Sequence, residues 1–516
     1  AVNRFCLPSY HFCDATKAHN YFVYEDDLPL LFDEFNKIKS GEITEHSLHY
    51  RWLDRQHNPV WVNCRGDVIL DEFNKPLYLI GCVNEIGKRQ KADNISGLLR
   101  EPSLEEYVSS KSKNNITGYF MQIGIDDFEE INGRFGLKCG DEILKQFSRC
   151  MQSCINENQK IYELGNGRFI IMDLANHTKE DILELYDELK KSVEVALEEN
   201  VYRVVYTISV GIVEIDKEMK DYDTLIKYSD FALNEAKKKG KNSCYFFTQD
   251  KYKQFIRRRE IRVGLQNAVD HNFKNFDVYY QPIIDIHTRN LIGAEALMRF
   301  KMKRNEQIEF ISPAEFIPIL EESGLIIPTG RWILRQAVAC CKKWQEFIPE
   351  FKVNVNLSYV QIIKSRILDE IKQALKDYNL KPALLGIEVT ESGYLENTYH
   401  YKKLWSSLKE EGITLVLDDY GTGYSNAYRL SDLTPHYIKI DRVLTQKALS
   451  SNYERSILIY IIEMAHSLKL NVCIEGVETE EELQEIKKLN PDYIQGYLFG
   501  KPVPEDEFYN RQIKKK

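Results

Sequence analysis

Eleven cysteines are scattered through the 516 residues without a single Cys-x-x-Cys pair. Cys150 and Cys154 stand four apart, and Cys340-Cys341 are neighbours in a helix-like run. That spacing fits the reduced thiols of a cytoplasmic protein better than a disulfide framework or a zinc site. Positive charge is also short. Lys and Arg number 69 against 78 Asp and Glu, a net charge of -9, which argues against a general DNA or RNA binder. It does not argue against a small anionic ligand held through metal ions. No apolar run reaches membrane-spanning length. The longest, Ile457 to Ile462, soon meets Glu463 and reads as a buried helix. No secretory leader is readable. The chain opens on Ala1 instead of Met, which leaves a membrane anchor upstream of it open.

What is present is ordinary for a soluble globular protein, at 43% hydrophobic and 28% charged residues. The length exceeds one hydrophobic core, so two to four domains are expected. The informative pattern lies in the second half. A lone carboxylate, Glu295, interrupts the strand-like run Gly293 to Phe300, an expensive placement unless a cation pairs with it. Asn356, Glu388, Asp418-Asp419, Lys439, Glu475 and Gln495 each close another short apolar run. Strands alternating with amphipathic helices suggest an (α/β) barrel, where function gathers at the C-terminal strand ends. Carboxylates and an amide oxygen are hard donors suited to Mg²⁺ or Mn²⁺. The tandem Asp418-Asp419 suits two ions, and Lys439 with Arg299 supplies charge for phosphate oxygens. Singly, each of these residues has a plainer reading as a salt bridge, a cap or a surface charge. Their joint occurrence in order at strand ends makes that reading weak.

Residues 1–92 offer two hairpins. Leu48–Leu53 turns at Gln56–Pro59 into Val60–Cys64, then Val68–Leu70 turns at Glu72–Pro76 into Leu77–Val83. This resembles the C-terminal half of a PAS domain, an α+β sensor, with the early part of the fold short. No haem-ligand or flavin-cysteine motif is present, so a ligand sensor and a plain dimerisation module are equally open.

Residues 93–250 begin Asp93-Asn94-Ile95-Ser96-Gly97-Leu98. They continue through the strand Tyr119–Ile125, a helix from Glu142, the hairpin Lys160–Glu163 to Phe169–Met172, and a strand from Tyr206 to Ile212, and end Ala236-Lys237-Lys238-Lys239-Gly240-Lys241-Asn242. The order resembles the GGDEF family of diguanylate cyclases and implies a ferredoxin-like α/β fold. Its signature is broken: Gly165-Asn166-Gly167-Arg168-Phe169 replaces Gly-Gly-Asp/Glu-Glu-Phe, and Gly124 stands where the family has a metal-binding Asp. Phosphoryl transfer there needs acids to hold metal, so the resemblance implies a domain without cyclase activity. Asn156 and Gln159 replace the family's Arg-x-x-Asp product site. A GTP-binding remnant at Asn132, Asp141, Lys237 and Lys241 stays open beside a purely structural role.

Residues 251–516 carry Tyr280-Gln281-Pro282-Ile283, Glu295-Ala296-Leu297-Met298-Arg299, Val355-Asn356-Leu357-Ser358 and Glu388-Val389-Thr390-Glu391-Ser392. Leu417-Asp418-Asp419-Tyr420-Gly421-Thr422-Gly423, Lys439-Ile440-Asp441, Glu475-Gly476-Val477-Glu478 and Gln495-Gly496-Tyr497 follow. The set resembles the EAL family of cyclic-di-GMP phosphodiesterases throughout, and implies a TIM-like (β/α) barrel. By that resemblance Glu295, Asn356, Glu388 and Asp418 hold a first metal ion, and Asp418, Asp419 and Glu475 a second. Lys439 positions the attacking water and Glu475 is the candidate general base. Gln281, Leu297, Arg299 and Gln495 contact the substrate, and Glu391 holds the Asp418 to Ser425 loop. The product is linear 5′-pGpG and the usual state a homodimer. A non-catalytic cyclic-di-GMP receptor or scaffold is the alternative, disfavoured because no metal ligand is lost.

Overall fold

The structure is a computed structural model that describes residues 5–7, 15–71, 75–85, 93, 95–111, 117–175, 177–198, 204–215, 221–304, 306–390, 398–421 and 435–514. It divides into two compact units that meet in sequence at Lys253 and Gln254.

The first unit holds two sheets. In β1 (Glu45–Leu53) buried and exposed side chains alternate, and β2 (Pro59–Leu70) begins the same way. Their inner residues Tyr50, Trp52 and Val62 pack with Phe22 and Leu31 from the helices Ala15–Phe22 and Leu28–Ser40. The sequence suggests separate strands before and after Cys64, but β2 runs unbroken to Leu70. It pairs with both β1 and β3 (Pro76–Glu85) along most of its length, so the ladder carries it across Gly66.

The second sheet is ordered β4-β6-β7-β5-β8-β9, from β4 (Leu99–Arg100), β5 (Gly118–Ile125), β6 (Gln159–Gly165), β7 (Arg168–Asp173), β8 (Ile208–Ile215) and β9 (Cys244–Phe246). Every residue of β5 is buried, as expected of a central strand covered on both faces. The sequence-based boundaries move here: β8 starts at Ile208, not Tyr206, and the helix expected from Glu142 begins at Leu137.

Glu163 of β6 is a buried acid in this domain, receiving the Ser96 hydroxyl and lying beside Asp93. Burial pushes its carboxyl up to about 7 from an ordinary 4.5. The folded state therefore holds a proton that the unfolded state releases. That stabilisation is full below about pH 4.5 and is lost as pH rises through about 7, up to ~3 kcal/mol. The wild-type drop in thermal midpoint from pH 5 to pH 8 is expected to exceed that of Glu163→Gln by roughly 5 °C. Equal drops would show that Glu163 titrates normally.

The second unit is a closed barrel of eight strands. They run in the order β11 (Leu291–Arg304), β13 (Lys352–Asn356), β14 (Leu385–Thr390), β15 (Thr414–Tyr420), β16 (Tyr437–Ile440), β17 (Asn471–Glu475), β18 (Tyr493–Gln495) and β10 (Phe276–Asp285), which returns to β11. A fully parallel barrel is the simplest expectation from the sequence, but β10 is antiparallel to both neighbours. The reason is local. Asp285 Oδ1 accepts the His287 and Thr288 amides at 3.0 and 2.8 Å and closes a tight turn to β11. So short a link permits only an antiparallel pair. β12 (Gln307–Ile311) extends β11 outside the barrel. Helices such as Ile326–Trp344 and Ile367–Tyr378 bury their apolar stripes against the strands. The run around Ile457 lies in the helix Asn452–Ser467 and is buried along one stripe only, at Leu458, Ile462 and Ala465, while Tyr460 is exposed. Among the described residues no helix is long and apolar enough to cross a membrane.

Candidate active site

Strand alternation sets the site. Along β11, Glu295, Leu297 and Arg299 share one face, while Ala294 and Ala296 pack into the core. Parallel register then lines the polar residues up across the strands. Asn356 pairs with Glu388, Thr390 with Asp418, and Glu475 with Gln495. Gln281 of β10 lies opposite Glu295. Two successive strand residues normally face opposite ways. The β15–β16 register breaks between Leu417 and Tyr420, and Asp419 adopts a left-handed φ of 56°. This irregularity brings both aspartates to one cluster.

Carboxylate oxygens of Glu295, Glu388 and Asp418 lie within 4.8 Å of one another, as do those of Asp418, Asp419 and Glu475. Asp418 is shared. Lys439 stands at the centre, its Nζ 2.9 Å from Glu295, 3.1 Å from Glu388, 3.4 Å from Asp418 and 2.7 Å from Glu475. Burial opposes the lysine's charge, but these acids hold it well above its ordinary value. The acids outnumber it. Burial, with Glu295 nearby, raises Glu388 well above the carboxylate range. Burial likewise pushes Glu475 up to about 8, and burial with Asp418 pushes Asp419 up to about 6. Burial works against Glu295 too, yet Lys439, Gln495 and Asn356 keep it below its ordinary value.

Amides fix the acids in place. Asn356 Nδ2 donates to Glu295 Oε1 at 2.7 Å. Gln495 Nε2 donates to Glu295 Oε2 at 2.7 Å and to Gln281 Oε1 at 3.0 Å. Gln495 Oε1 is buried with no hydrogen-bond partner among the described residues, an acceptor that a ligand donor or cation would satisfy. The cleft above the cluster has a volume of about 230 Å³ and includes Leu297 and Tyr497. A larger cavity of about 700 Å³, lined by Leu297, Arg299, Asn356 and Asp419, adjoins it. The Arg299 guanidinium lies 5.6 Å from the Tyr279 ring centre. Glu391 and residues 422–434 lie outside the described residues.

Sequence reasoning missed Asn354. It is buried, and its Nδ2 donates to Glu388 Oε1 at 2.7 Å and to the Tyr437 hydroxyl. The signal was there: Lys352-Val353-Asn354-Val355-Asn356 alternates, so both asparagines face the barrel interior.

The middle region is built differently. Gly124 pairs with Arg168 across β5 and β7, and a Cβ on Gly124 would stand 3.1 Å from Lys237 Nζ. Arg168 lies 3.6 Å from Asp230. Lys241 is 2.7 Å from Asp127, while Asp126 accepts the Thr207 and Ser209 hydroxyls. Asn132 lies against Gly140, the neighbour of Asp141, with its Oδ1 buried and unpartnered among the described residues. Gly167 has a φ of 70°, and a Cβ there would stand 2.8 Å from the Phe128 ring. An acid at that position would therefore be strained.

Family models match in three segments: the PAS fold over residues 11–83, the diguanylate cyclase GGDEF domain over 91–243 and the EAL domain over 262–502. The chain is a PAS–GGDEF–EAL protein. It is 32% identical over 399 residues to signaling protein YkoW of Bacillus subtilis, covering 76% of this chain and 48% of that protein. It is 27% identical over 465 residues to the cyclic di-GMP phosphodiesterase PdeR of Escherichia coli, covering 89% of this chain and 68% of that one. Among solved structures, the PaMucR phosphodiesterase in complex with c-di-GMP matches at 29% identity and a TM-score of 0.45, over 48% of this chain and 99% of that one. The chain spans about half the length of YkoW. Relatives of its EAL domain thus include c-di-GMP phosphodiesterases, and EAL domains depend on metal. The buried acid cluster is a place where metal could bind.

Proposed function

We propose that this chain hydrolyses cyclic di-GMP to linear 5′-pGpG at the barrel, with two Mg²⁺ or Mn²⁺ ions, under control of the PAS domain and of a GGDEF domain without cyclase activity. The observation that carries the proposal is the pair of carboxylate triads that share Asp418. The donors suit such ions. They are hard oxygens, they exceed the charge of Lys439, and a buried amide oxygen lies unpartnered beside them. Glu295, Asn356, Glu388 and Asp418 would hold the first ion, and Asp418, Asp419 and Glu475 the second. Bound there, the ions supply a nucleophile at neutral pH and neutralise charge on the phosphodiester.

The chain's own groups do the rest. Lys439 carries a fixed positive charge into the cluster and orients four carboxylates at once. Glu475, held 2.7 Å from the Lys439 ammonium at the edge of the cluster, is the candidate general base: its carboxylate would take a proton from the attacking water and pass it on. Gln281 and Gln495 brace each other, so either can meet the substrate without first being ordered. Leu297 and Arg299 line the cavity beside the acids, where Arg299 can pair with a phosphate. Glu391 would hold the loop that follows Asp419.

The GGDEF reading rests on the cations around Gly124. Arg168 opposite Gly124 and Lys237 close beside it support that reading, because cations repel a metal ion where the cyclase chemistry would need acids. GTP at Asn132, Asp141, Lys237 and Lys241, a homodimer, a cytoplasmic location, and domain limits near residues 92 and 250 belong to the same proposal.

The direct test is incubation of the purified chain with cyclic di-GMP and Mg²⁺ or Mn²⁺, with and without chelator, followed by chromatography. Metal-dependent pGpG is expected, with turnover lost on chelation. Tight binding without turnover would make the chain a receptor and overturn the proposal.

A further inference from the structure

A second cleft opens at the opposite end of the barrel, with a volume of about 550 Å³. Lys352, Thr414, Tyr437, Asn471 and Tyr493, which begin β13, β15, β16, β17 and β18, all line it. The acid cluster lies at the other ends of these strands. Lys352, Lys409 and Lys469 stand in the wall with His436, and no carboxylate is among the described residues that line the cleft.

The imidazole adds a donor. His436 Nδ1 accepts the Leu415 amide at 2.9 Å, which leaves the proton of the neutral ring on Nε2. Burial holds His436 below its ordinary value, and Lys409 and Lys352 lower it further, so the cationic field of the wall reaches the ring. Part of the lining is aromatic. The rings of Tyr437 and Tyr493 meet edge to face with centres 5.7 Å apart, and the Asn471 amide holds the Tyr493 hydroxyl at 3.2 Å. Cationic groups beside an aromatic wall, in a volume within the small-molecule range, favour an anion that carries an apolar or planar part.

We propose that this N-terminal mouth of the barrel is a second ligand site, for a phosphate-bearing small molecule of about mononucleotide size. Its anionic group lies between Lys352 and Lys469, and its apolar part against Tyr437 and Tyr493. The site is linked to the acid cluster. Asn354 lines the same cleft and donates both to Tyr437 and to Glu388. A ligand that shifts Tyr437 shifts a partner of Glu388, so occupancy alters turnover.

The test is calorimetric titration of the full chain, in chelator, with AMP and with inorganic pyrophosphate. Saturable binding of AMP is expected, and it should persist with cyclic di-GMP at saturation. Lys352→Glu/Lys469→Glu should bind at least tenfold more weakly, and Lys469→Gln a few-fold more weakly. Unchanged thermal midpoints would show that both variants are folded. Absence of saturable binding of either probe would overturn the site, as would equal binding by the charge-reversed variant. Displacement by cyclic di-GMP would also overturn it, because the probe would then occupy the upper cleft. In metal, AMP should change kcat or KM of the wild type but not of the charge-reversed variant. Binding with turnover unchanged would overturn the link through Asn354.

Discussion

Glu295→Ala is expected to lower kcat/KM for cyclic di-GMP at least ~10³-fold, about 4 kcal/mol of transition-state stabilisation. Glu295 sits where β10, β11, β13, β16 and β18 converge. It accepts from Asn356 and Gln495, faces Lys439 at 2.9 Å and belongs to the first carboxylate triad. Removing it takes away a ligand and also frees both amides that aim at the cluster. Even partners of ligands typically matter 10- to 100-fold, so loss of a ligand itself should exceed that. The fold should survive. The substitution removes one of several crowded acids, and the repulsion it relieves from Glu388 offsets the lost pairing of Glu295 with Lys439, which keeps its contact with Glu388. Chromatography of pGpG gives the rate, and thermal unfolding in chelator the stability. Turnover within tenfold of wild type would overturn the assignment of Glu295.

The barrel was legible because its polar residues break apolar strands at their C-terminal ends, a pattern with no cheap structural explanation. Glu295, Glu388, Asp418, Lys439 and Gln495 all converge in the structure. Three features were not legible. The antiparallel direction of β10 depends on an aspartate turn, and turn chemistry in a short loop is easily passed over. The shared orientation of Asp418 and Asp419 depends on a left-handed backbone at Asp419, which a non-glycine residue does not announce. Asn354 hid behind Asn356, because an amide within an apolar strand reads as a flaw until its partners are seen. In the GGDEF domain Gly124 and the run Gly165 to Phe169 were readable, but the position of Lys237 beside Gly124 required the packing of a distant helix against β5.

Lys439→Met tests the electrostatics of the cluster from the other side. The lysine is 1% exposed and is in contact with four carboxylates. Methionine preserves much of its shape and removes the charge together with the ammonium's hydrogen bonds to Glu295 and Glu388. Without a cation, the buried acids must then take up protons or repel one another. Breaking a buried ion pair on one side typically destabilises by about 3–5 kcal/mol. For a barrel of this size that is a fall of roughly 10 °C in thermal midpoint, measured in chelator. Excess Mg²⁺ or Mn²⁺ should return most of it, because a divalent ion among the acids supplies the missing charge and stabilises only the folded state. Turnover should stay low even then, since the thioether neither orients Glu475 nor offers a charge to the phosphate. The two readings separate cleanly. If Lys439→Met melts with the wild type in chelator, the acids are held by geometry alone and the lysine is a catalytic group only. If metal fails to raise its midpoint, the shared carboxylates do not bind the ions that the proposed hydrolysis requires.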